Sequence, residues 1–130
     1  MNTTTTKQRQ TKYCQAIGRQ LQSLGHATNA ELLEHLNESF PNLSPTTVHR
    51  ATTRLSSRGI IKLAPPKQDG SMRYDANTKA HDHFHCLSCD LLRDIDIKNK
   101  VIPILESNFD GFKISGQLII NGLCSQCAKP

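Results

Sequence analysis

Residues 44–59 read SPTTVHRATTRLSSRG, and this stretch predicts a short helix with a defined start and end. Ser44 can accept hydrogen bonds from the unpaired amides of a helix start, and Pro45 fits the first turn because its missing N–H is not needed there. Gly59 suits the position after the last turn. The apolar residues at helical spacing are Val48, Ala51 and Leu55, followed by Ile60. The helix is therefore amphipathic, with its apolar side toward a core.

The opposite side of this helix is polar and basic. Its side chains are Thr46, Thr47, His49, Arg50, Thr53, Arg54 and Arg58. Positive charge is also concentrated in the first half of the chain. Residues 1–75 hold ten basic and five acidic side chains, whereas residues 76–130 hold six of each. A basic first half joined to a neutral second half predicts that the first half meets a polyanion.

Two more helices are predicted before this stretch. The first runs from Lys7 to Leu24 and ends at Gly25, and its apolar face consists of Tyr13, Ile17, Leu21 and Leu24. The second starts at Thr28, which has the spacing of a capping box with Glu31, and it stops at Pro41. Its buried stripe consists of Leu32, Leu33, Leu36 and Phe40.

Residues 60–75 read IIKLAPPKQDGSMRYD and predict two short strands around the turn Lys-Gln-Asp-Gly. Three helices and a hairpin make a winged helix-turn-helix domain of residues 1–75, and residues 76–82 are predicted as a hinge. Residues 83–130 then form a second, α/β domain. Its predicted elements are strands at 83–87 and 93–97, a helix at 101–109 and a longer strand at 112–123. The predicted fold class is α+β.

Two cysteine pairs form the most specific pattern in the chain. Cys86 and Cys89 make one CxxC motif, Cys124 and Cys127 make another, and thirty-four residues separate the two. Two such turns can close a tetrahedron of thiolates around Zn²⁺, and four protein ligands leave no position for a substrate. We therefore predict a structural zinc site, with an iron–sulfur cluster or redox dithiols as the alternatives. The fifth cysteine, Cys14, is interpreted as a small buried hydrophobic residue.

Three histidines precede the first CxxC motif at alternate positions, in the sequence HDHFH of residues 81–85. On an extended strand they share one face, so two of them can hold one metal ion; the alternative is a merely polar strand face. Asp75 and Asp94 are available carboxylates. Nitrogen and oxygen ligands suit Fe²⁺, Mn²⁺, Co²⁺ or Zn²⁺. Since Asp75 lies on the wing side and the histidines on the other, a bound metal would fix the orientation of the two halves.

The chain resembles the ferric uptake regulator (Fur) family from the first helix to Cys127. The stretch FPNLSPTTVHRATTRLSSRGII is similar to the recognition-helix signature of the family, and HDHFHCLSC with INGLCSQC is similar to its zinc signature. The resemblance implies a transcriptional repressor that is a homodimer, with an N-terminal winged helix and a C-terminal α/β dimerisation domain. It also implies binding to an AT-rich inverted repeat of double-stranded DNA when a regulatory metal is loaded.

The resemblance places the regulatory metal on His26, Asp75, His81, His83 and Asp94. Aspartate at both carboxylate positions is similar to the peroxide-sensing (PerR) branch of the family. The implied mechanism is that bound Fe²⁺ reacts with hydrogen peroxide, that His26 or His81 is oxidised and that DNA is released, whereas Mn²⁺ supports repression without this chemistry. An alternative is that His85 binds the metal in place of His81 or His83.

The DNA contacts follow from the same resemblance. We expect the recognition helix to enter the major groove with Thr46, Thr47, His49, Arg50 and Arg54. We expect the wing to approach phosphates with Lys62, Lys67 and Arg73.

Two other functions are alternatives. An iron- or manganese-uptake repressor without redox chemistry would use the same ligands. A metal-dependent hydrolase would use zinc-bound water, but no HExxH motif, Ser–His pair or catalytic carboxylate pair accompanies the histidines. The opening MNTTTTKQRQ lacks the apolar core of a signal peptide, and no window of the sequence approaches a membrane span. We therefore expect a cytoplasmic protein without a membrane partner.

Overall fold

The structure is a computed structural model that describes the backbone of residues 3–130 and the side chains of residues 12–130. Two compact units divide between Thr78 and Lys79, inside the predicted hinge. Each unit contains helix and a three-stranded sheet, which confirms the predicted α+β class. No helix in the described part of the chain combines the length and the apolar character needed to cross a membrane.

The first unit contains three helices, α1 (Thr3–Leu24), α2 (Asn29–Leu36) and α3 (Pro45–Ser57). Helix α2 ends four residues earlier than predicted, at Leu36 rather than at Phe40. Pro41 disfavours helical backbone in the residue before it, so the chain turns, and the Phe40 amide donates to the Leu36 carbonyl at 2.9 Å. Phe40 still packs against the core from this turn.

Both short helices begin where the sequence predicts. The Thr28 hydroxyl accepts from the Glu31 amide at 3.1 Å, and the Glu31 carboxylate accepts from the Thr28 amide at 2.9 Å, which confirms the capping box. At the start of α3, the Ser44 hydroxyl accepts from the Thr47 amide at 3.1 Å, ahead of Pro45 in the first turn. Each cap of this kind stabilises a helix by about 1 kcal/mol.

The apolar faces of the three helices meet in one core. Its fully or nearly buried members include Ile17, Leu21, Leu32, Leu36, Val48, Ala51 and Leu55. The prediction for Ile60 was wrong, because this side chain is 54% exposed and Ile61 is buried instead. Helix α3 ends at Ser57 and Gly59 has a φ of +72°, so the chain leaves helical spacing and the inward position shifts by one residue. Cys14 is half-buried and packs against this core.

A small antiparallel sheet completes the first unit. Its strands are β1 (His26–Thr28), β2 (Lys62–Ala64) and β3 (Arg73–Asp75), in the order β1-β3-β2. Strands β2 and β3 are the predicted hairpin. Its turn is closed by hydrogen bonds from the Lys67 amide to the Ser71 carbonyl and from the Gly70 amide to the Lys67 carbonyl, both at 3.0 Å. Strand β1 was not predicted. It pairs with β3 in the antiparallel direction, and His26 is the register partner of Asp75.

The second unit contains β4 (Asp82–Cys86), β5 (Leu92–Ile95), α4 (Lys98–Glu106) and β6 (Ile119–Gly122). Strand β4 is central, with β5 antiparallel on one side and β6 parallel on the other. Helix α4 begins and ends three residues before the predicted range. The predicted long strand 112–123 is reduced to β6, and Gly116, inside the predicted range, has a φ of +83°, which interrupts a strand.

Candidate metal centres and nucleic-acid interface

The four paired cysteines come together inside the second unit. Cys86 ends β4, and its register partner across the parallel pair is Gly122, two residues before Cys124, so the sheet closes the long gap in sequence. The four sulfur atoms all lie within 4.8 Å of one another, and those of Cys89 and Cys124 are 3.8 Å apart. Two sulfurs of a tetrahedral site with Zn–S bonds of about 2.3 Å are separated by about 3.8 Å. The spacing therefore fits a zinc ion.

Backbone amides favour the thiolate form of two of these cysteines. The backbone N–H groups of Cys89 and Cys124 lower the pKa of Cys86 to about 6, and the Cys127 amide lowers the pKa of Cys124. A hydrogen bond with Ser88 lowers the pKa of Cys127, but the side chains of Cys124, Cys89 and Cys86 outweigh it and raise that pKa to about 12. Four thiols this close cannot all ionise unless a cation offsets part of their charge, as a divalent metal ion does.

A second group of ligand-type side chains lies at the pairing of β4 with β5. One carboxylate oxygen of Asp94, Oδ1, is 3.3 Å from His81 Nε2 and 3.2 Å from His83 Nε2. Asp94 is the register partner of His83, and His81 lies two residues away on the same face. Neighbouring ligand atoms around one ion, with bonds of about 2.1 Å, are separated by about 3.0–3.4 Å. These three side chains therefore have the spacing of metal ligands.

The far side of each imidazole is also engaged. His81 Nδ1 lies 2.6 Å from the carbonyl oxygen of Lys79, which can only accept, so Nδ1 carries a proton and Nε2 is the atom that faces Asp94. His83 is fully buried, and its Nδ1 lies 2.7 Å from the amide nitrogen of Gln117. No sequence pattern pointed to Gln117, which comes close to His83 because β6 pairs with β4.

His85 belongs to a different contact. Its Nε2 lies 2.8 Å from Oδ1 of Asp90, a residue of the turn after Cys89 that has a φ of +66°. The pairing directs the His85 ring toward the cysteine turn. The structure therefore favours His81 and His83, and not His85, as partners of Asp94.

The first unit holds the other two predicted ligands. His26 Nε2 lies 3.5 Å from Asp75 Oδ2, and the Asp75 side chain is 1% exposed. The register of β1 with β3 brings the two residues together. The pattern of residues did not single out His26, because a three-residue strand has no periodicity to detect. The family resemblance was the signal that found it.

Helix α3 presents most of its predicted DNA-facing residues to solvent. Thr46, His49 and Arg50 are exposed, whereas Thr47 and Arg54 are half-buried. The Thr47 hydroxyl lies 2.9 Å from the Ser44 hydroxyl, within the helix start. A groove of about 990 Å³ runs beside this helix, and its basic lining consists of His49, Arg50, Arg54 and Arg58. The surface is therefore suited to a polyanion.

The wing differs from its prediction at one residue. Lys62 and Lys67 are half-buried, whereas Arg73 is buried, with only 5% of its surface exposed. Its guanidinium donates to the carbonyl oxygen of Pro65 at 2.9 Å and to that of Pro66 at 3.2 Å. The predicted phosphate contact of Arg73 is therefore wrong, because this buried side chain donates hydrogen bonds to the two prolines of the wing.

Comparisons with known proteins agree with this architecture. The family model described as "Ferric uptake regulator family" matches residues 2–117. The "Peroxide operon regulator" of Bacillus subtilis (strain 168) is 30% identical over 109 residues, which are 82% of this chain and 74% of that protein. The "Peroxide-responsive repressor PerR" of Staphylococcus aureus (strain USA300) is 30% identical over 116 residues, 87% of this chain and 78% of that protein. The structure of the Helicobacter pylori ferric uptake regulator Fur, reported with three functional metal binding sites, superposes with a TM-score of 0.72 at 21% identity and covers 92% of this chain and 81% of that one.

Proposed function

The chain belongs to the ferric uptake regulator family, and from this premise we propose that it is a metal-dependent, DNA-binding repressor of the peroxide-sensing type. Members of the family are transcription regulators and not enzymes, which excludes a metal-dependent hydrolase. Family members bind DNA as dimers. The observation that carries the proposal is the convergence of His81 and His83 on one oxygen of Asp94.

We assign five side chains to one regulatory ion. The set, which the family resemblance implies, is His26, Asp75, His81, His83 and Asp94. Three imidazoles and two carboxylates suit Fe²⁺ or Mn²⁺.

The four cysteines serve a different ion, a permanent structural Zn²⁺. Their donor set is all sulfur, which favours zinc over the metals that suit imidazole and carboxylate. Four thiolates fill a tetrahedral site and leave no open position for chemistry. This ion braces the second unit and does not respond to the signal.

The histidine ligands differ in their access to peroxide. A bound Fe²⁺ ion would supply the electrons that begin the reduction of hydrogen peroxide. In the net reaction one oxygen atom passes from peroxide to a carbon of an imidazole ring, and water leaves. The His26 and His81 side chains are 13% and 11% exposed, whereas that of His83 is fully buried. His26 and His81 are therefore the expected targets, and their oxidation removes a ligand and releases DNA.

The operator is an AT-rich inverted repeat, read by two copies of α3. The major-groove residues are Thr46, Thr47, His49, Arg50 and Arg54, and the wing contributes Lys62 and Lys67 to phosphates. A second copy of the chain would cover apolar side chains that the second unit exposes, namely Ile104, Phe109, Phe112, Ile119, Ile120 and Leu123. The dimer acts in the cytoplasm, where its operator is found.

The test is a DNA-binding titration of zinc-loaded protein with a palindromic AT-rich duplex, without a second metal and with Mn²⁺ or Fe²⁺. Binding is expected to tighten with either metal. His81→Ala should abolish this dependence, and His35→Ala, which changes an exposed histidine of α2, should leave it intact. Equal binding with and without the second metal, in the wild-type protein, contradicts the proposal.

The second candidate function is an iron- or manganese-uptake repressor without redox chemistry, which the same ligand set would serve. Peroxide treatment of the Fe²⁺-loaded protein separates the two. Peroxide sensing is expected to add the mass of one oxygen atom to the peptide that carries His26 or His81, but not to the peptide that carries His35. Unmodified peptides together with unchanged DNA binding would support the uptake repressor.

A further inference from the structure

We propose that Gln117 is a positioning residue that can hydrogen-bond to Nδ1 of His83 in either tautomer, so that His83 can release its Nε2 proton and bind the regulatory metal. The inference rests on the proposed function of His83 as a ligand. The Gln117 amide nitrogen lies 2.7 Å from His83 Nδ1 and donates to the His81 carbonyl oxygen at 3.3 Å. It therefore touches both histidine residues that face Asp94.

The backbone holds Gln117 at this place. The His83 amide donates to the Leu118 carbonyl at 3.0 Å, and the Leu118 amide donates to Asp82 Oδ1 at 2.9 Å. Asp82 is buried and is also paired with Lys98 at 3.4 Å. These contacts join the residue after Gln117 to the strand that carries the histidines, so the amide stays beside His83 although its own side chain is exposed.

The two histidines differ in the chemistry of their Nδ1 partners. His81 faces a carbonyl oxygen, which accepts only, and its proton is therefore fixed on Nδ1. His83 faces a primary amide, which can donate through its nitrogen or accept through its oxygen after a half-turn of the amide group. The partner of His83 is thus compatible with either tautomer.

Each amide orientation corresponds to one role of His83. With the nitrogen facing Nδ1, the ring proton lies on Nε2, where Asp94 accepts it over 3.2 Å. With the oxygen facing Nδ1, that atom keeps the proton and Nε2 offers its lone pair to a metal ion. A second contact that orients a histidine ligand typically changes metal affinity by about 10-fold to 100-fold. Gln117 therefore serves both the free and the ligating form of His83.

The tautomer is measurable without DNA, by ¹H–¹⁵N long-range correlation NMR of His83. In wild-type protein carrying only the cysteine-bound zinc, we expect the proton on Nε2. One further equivalent of diamagnetic Zn²⁺ should move it to Nδ1. A His83 ring that already carries the proton on Nδ1 in the wild-type protein before the metal is added, or that keeps it on Nε2 after the metal is added, would overturn the inference.

Mn²⁺ affinity, followed by electron paramagnetic resonance of the free ion, is the second readout. Gln117→Met keeps the length of the side chain without hydrogen bonds and should weaken binding by about 10-fold to 100-fold. Gln117→Glu, whose carboxylate accepts from Nδ1, should restore binding to at least the wild-type level. Because it also adds a charge, the control is Ser115→Glu combined with Gln117→Met, which adds the same charge at an exposed position two residues away. Rescue by this control would overturn the role of the hydrogen bond.

The failure of this inference differs from the failure of the proposed function. If His83→Ala loses Mn²⁺ binding and Gln117→Met binds like wild type, Gln117 has no positioning role and the regulatory site stands. If wild-type protein with intact cysteine-bound zinc binds no Mn²⁺, the regulatory site itself is refuted.

Discussion

Among the single residues of the proposed regulatory site, Asp94 faces two others. One of its carboxylate oxygens lies close to the imidazoles of both His81 and His83. Its side chain is 47% exposed, so its position depends on the β4–β5 register and not on burial. Removing the charge leaves two neutral nitrogen ligands in the second unit. The resulting loss of metal affinity should exceed the loss caused by changing a residue outside the ligand set.

We predict that Asp94→Asn weakens Mn²⁺ binding by more than about 100-fold, since loss of an outer contact to a ligand alone costs up to that much. Asp96→Asn is the matched control, because it removes an exposed carboxylate two residues away. Equilibrium titration of zinc-loaded protein measures both. Equal affinities for the two variants would remove Asp94 from the site.

Arg73 illustrates how burial changes the role of a basic residue. Hydrogen bonds from a charged donor contribute about 1.5–3 kcal/mol to stability, and this guanidinium donates to the carbonyls of Pro65 and Pro66. We predict that Arg73→Ala lowers the free energy of unfolding by about 2 kcal/mol, measured by urea denaturation.

Lys67 provides the comparison for Arg73, because it lies at the surface of the same hairpin. Lys67→Ala should leave stability nearly unchanged and weaken DNA binding, with a flatter dependence on salt concentration. If instead Arg73→Ala is as stable as wild type and flattens the salt dependence, the phosphate contact first expected from the sequence is correct.

At the scale of the element, α3 depends on its N-terminal cap. The Ser44 hydroxyl accepts from the Thr47 amide, and the next residue is Pro45, so the start of the helix is fixed over consecutive positions. The side chains expected to read DNA follow within about three turns. An unravelled first turn would therefore displace Thr46 and Thr47 before it affects the rest of the helix.

We predict that Ser44→Ala destabilises the first unit by about 1 kcal/mol, the usual value for loss of such a cap. Ser23→Ala, at an exposed position inside α1, is the control and should change stability little. Thermal unfolding followed by circular dichroism measures the difference. Identical midpoints for the two variants would show that Pro45 and the core alone hold the start of α3.

At the scale of the whole molecule, the two units are stabilised differently. Among its described residues, the first has a continuous apolar core with eleven buried members. In the second, the buried hydrophobic residues are Cys86 and Leu92, and α4 buries none. A unit this small cannot bury enough apolar surface to be stable alone, so a metal ion and a second subunit are the expected sources of stability.

We predict that Cys86→Ser or Cys124→Ser loses the zinc ion and dissociates the dimer, because metal binding and folding of the second unit are coupled. Cys14→Ser is the control, since Cys14 packs in the first unit and takes no part in the sulfur cluster. Native mass spectrometry should show one zinc per chain in wild type and in the control. A folded, zinc-free dimer of either cluster variant would disprove the prediction.

The features that depend on neighbouring residues follow from the sequence alone: the capping box at Thr28, the start of α3 at Ser44, the hairpin of the wing and the two CxxC motifs. Local hydrogen bonds and turn geometry specify these features over three or four positions. Tertiary structure decided the rest. Strand β1 exists because β3 pairs with it, Ile61 replaces Ile60 in the core because of the turn at Gly59, and Arg73 turns inward toward Pro65. Contacts between distant segments, such as Gln117 with His83, leave no trace in the local pattern, because they depend on how strands pair and not on the order of residues along them.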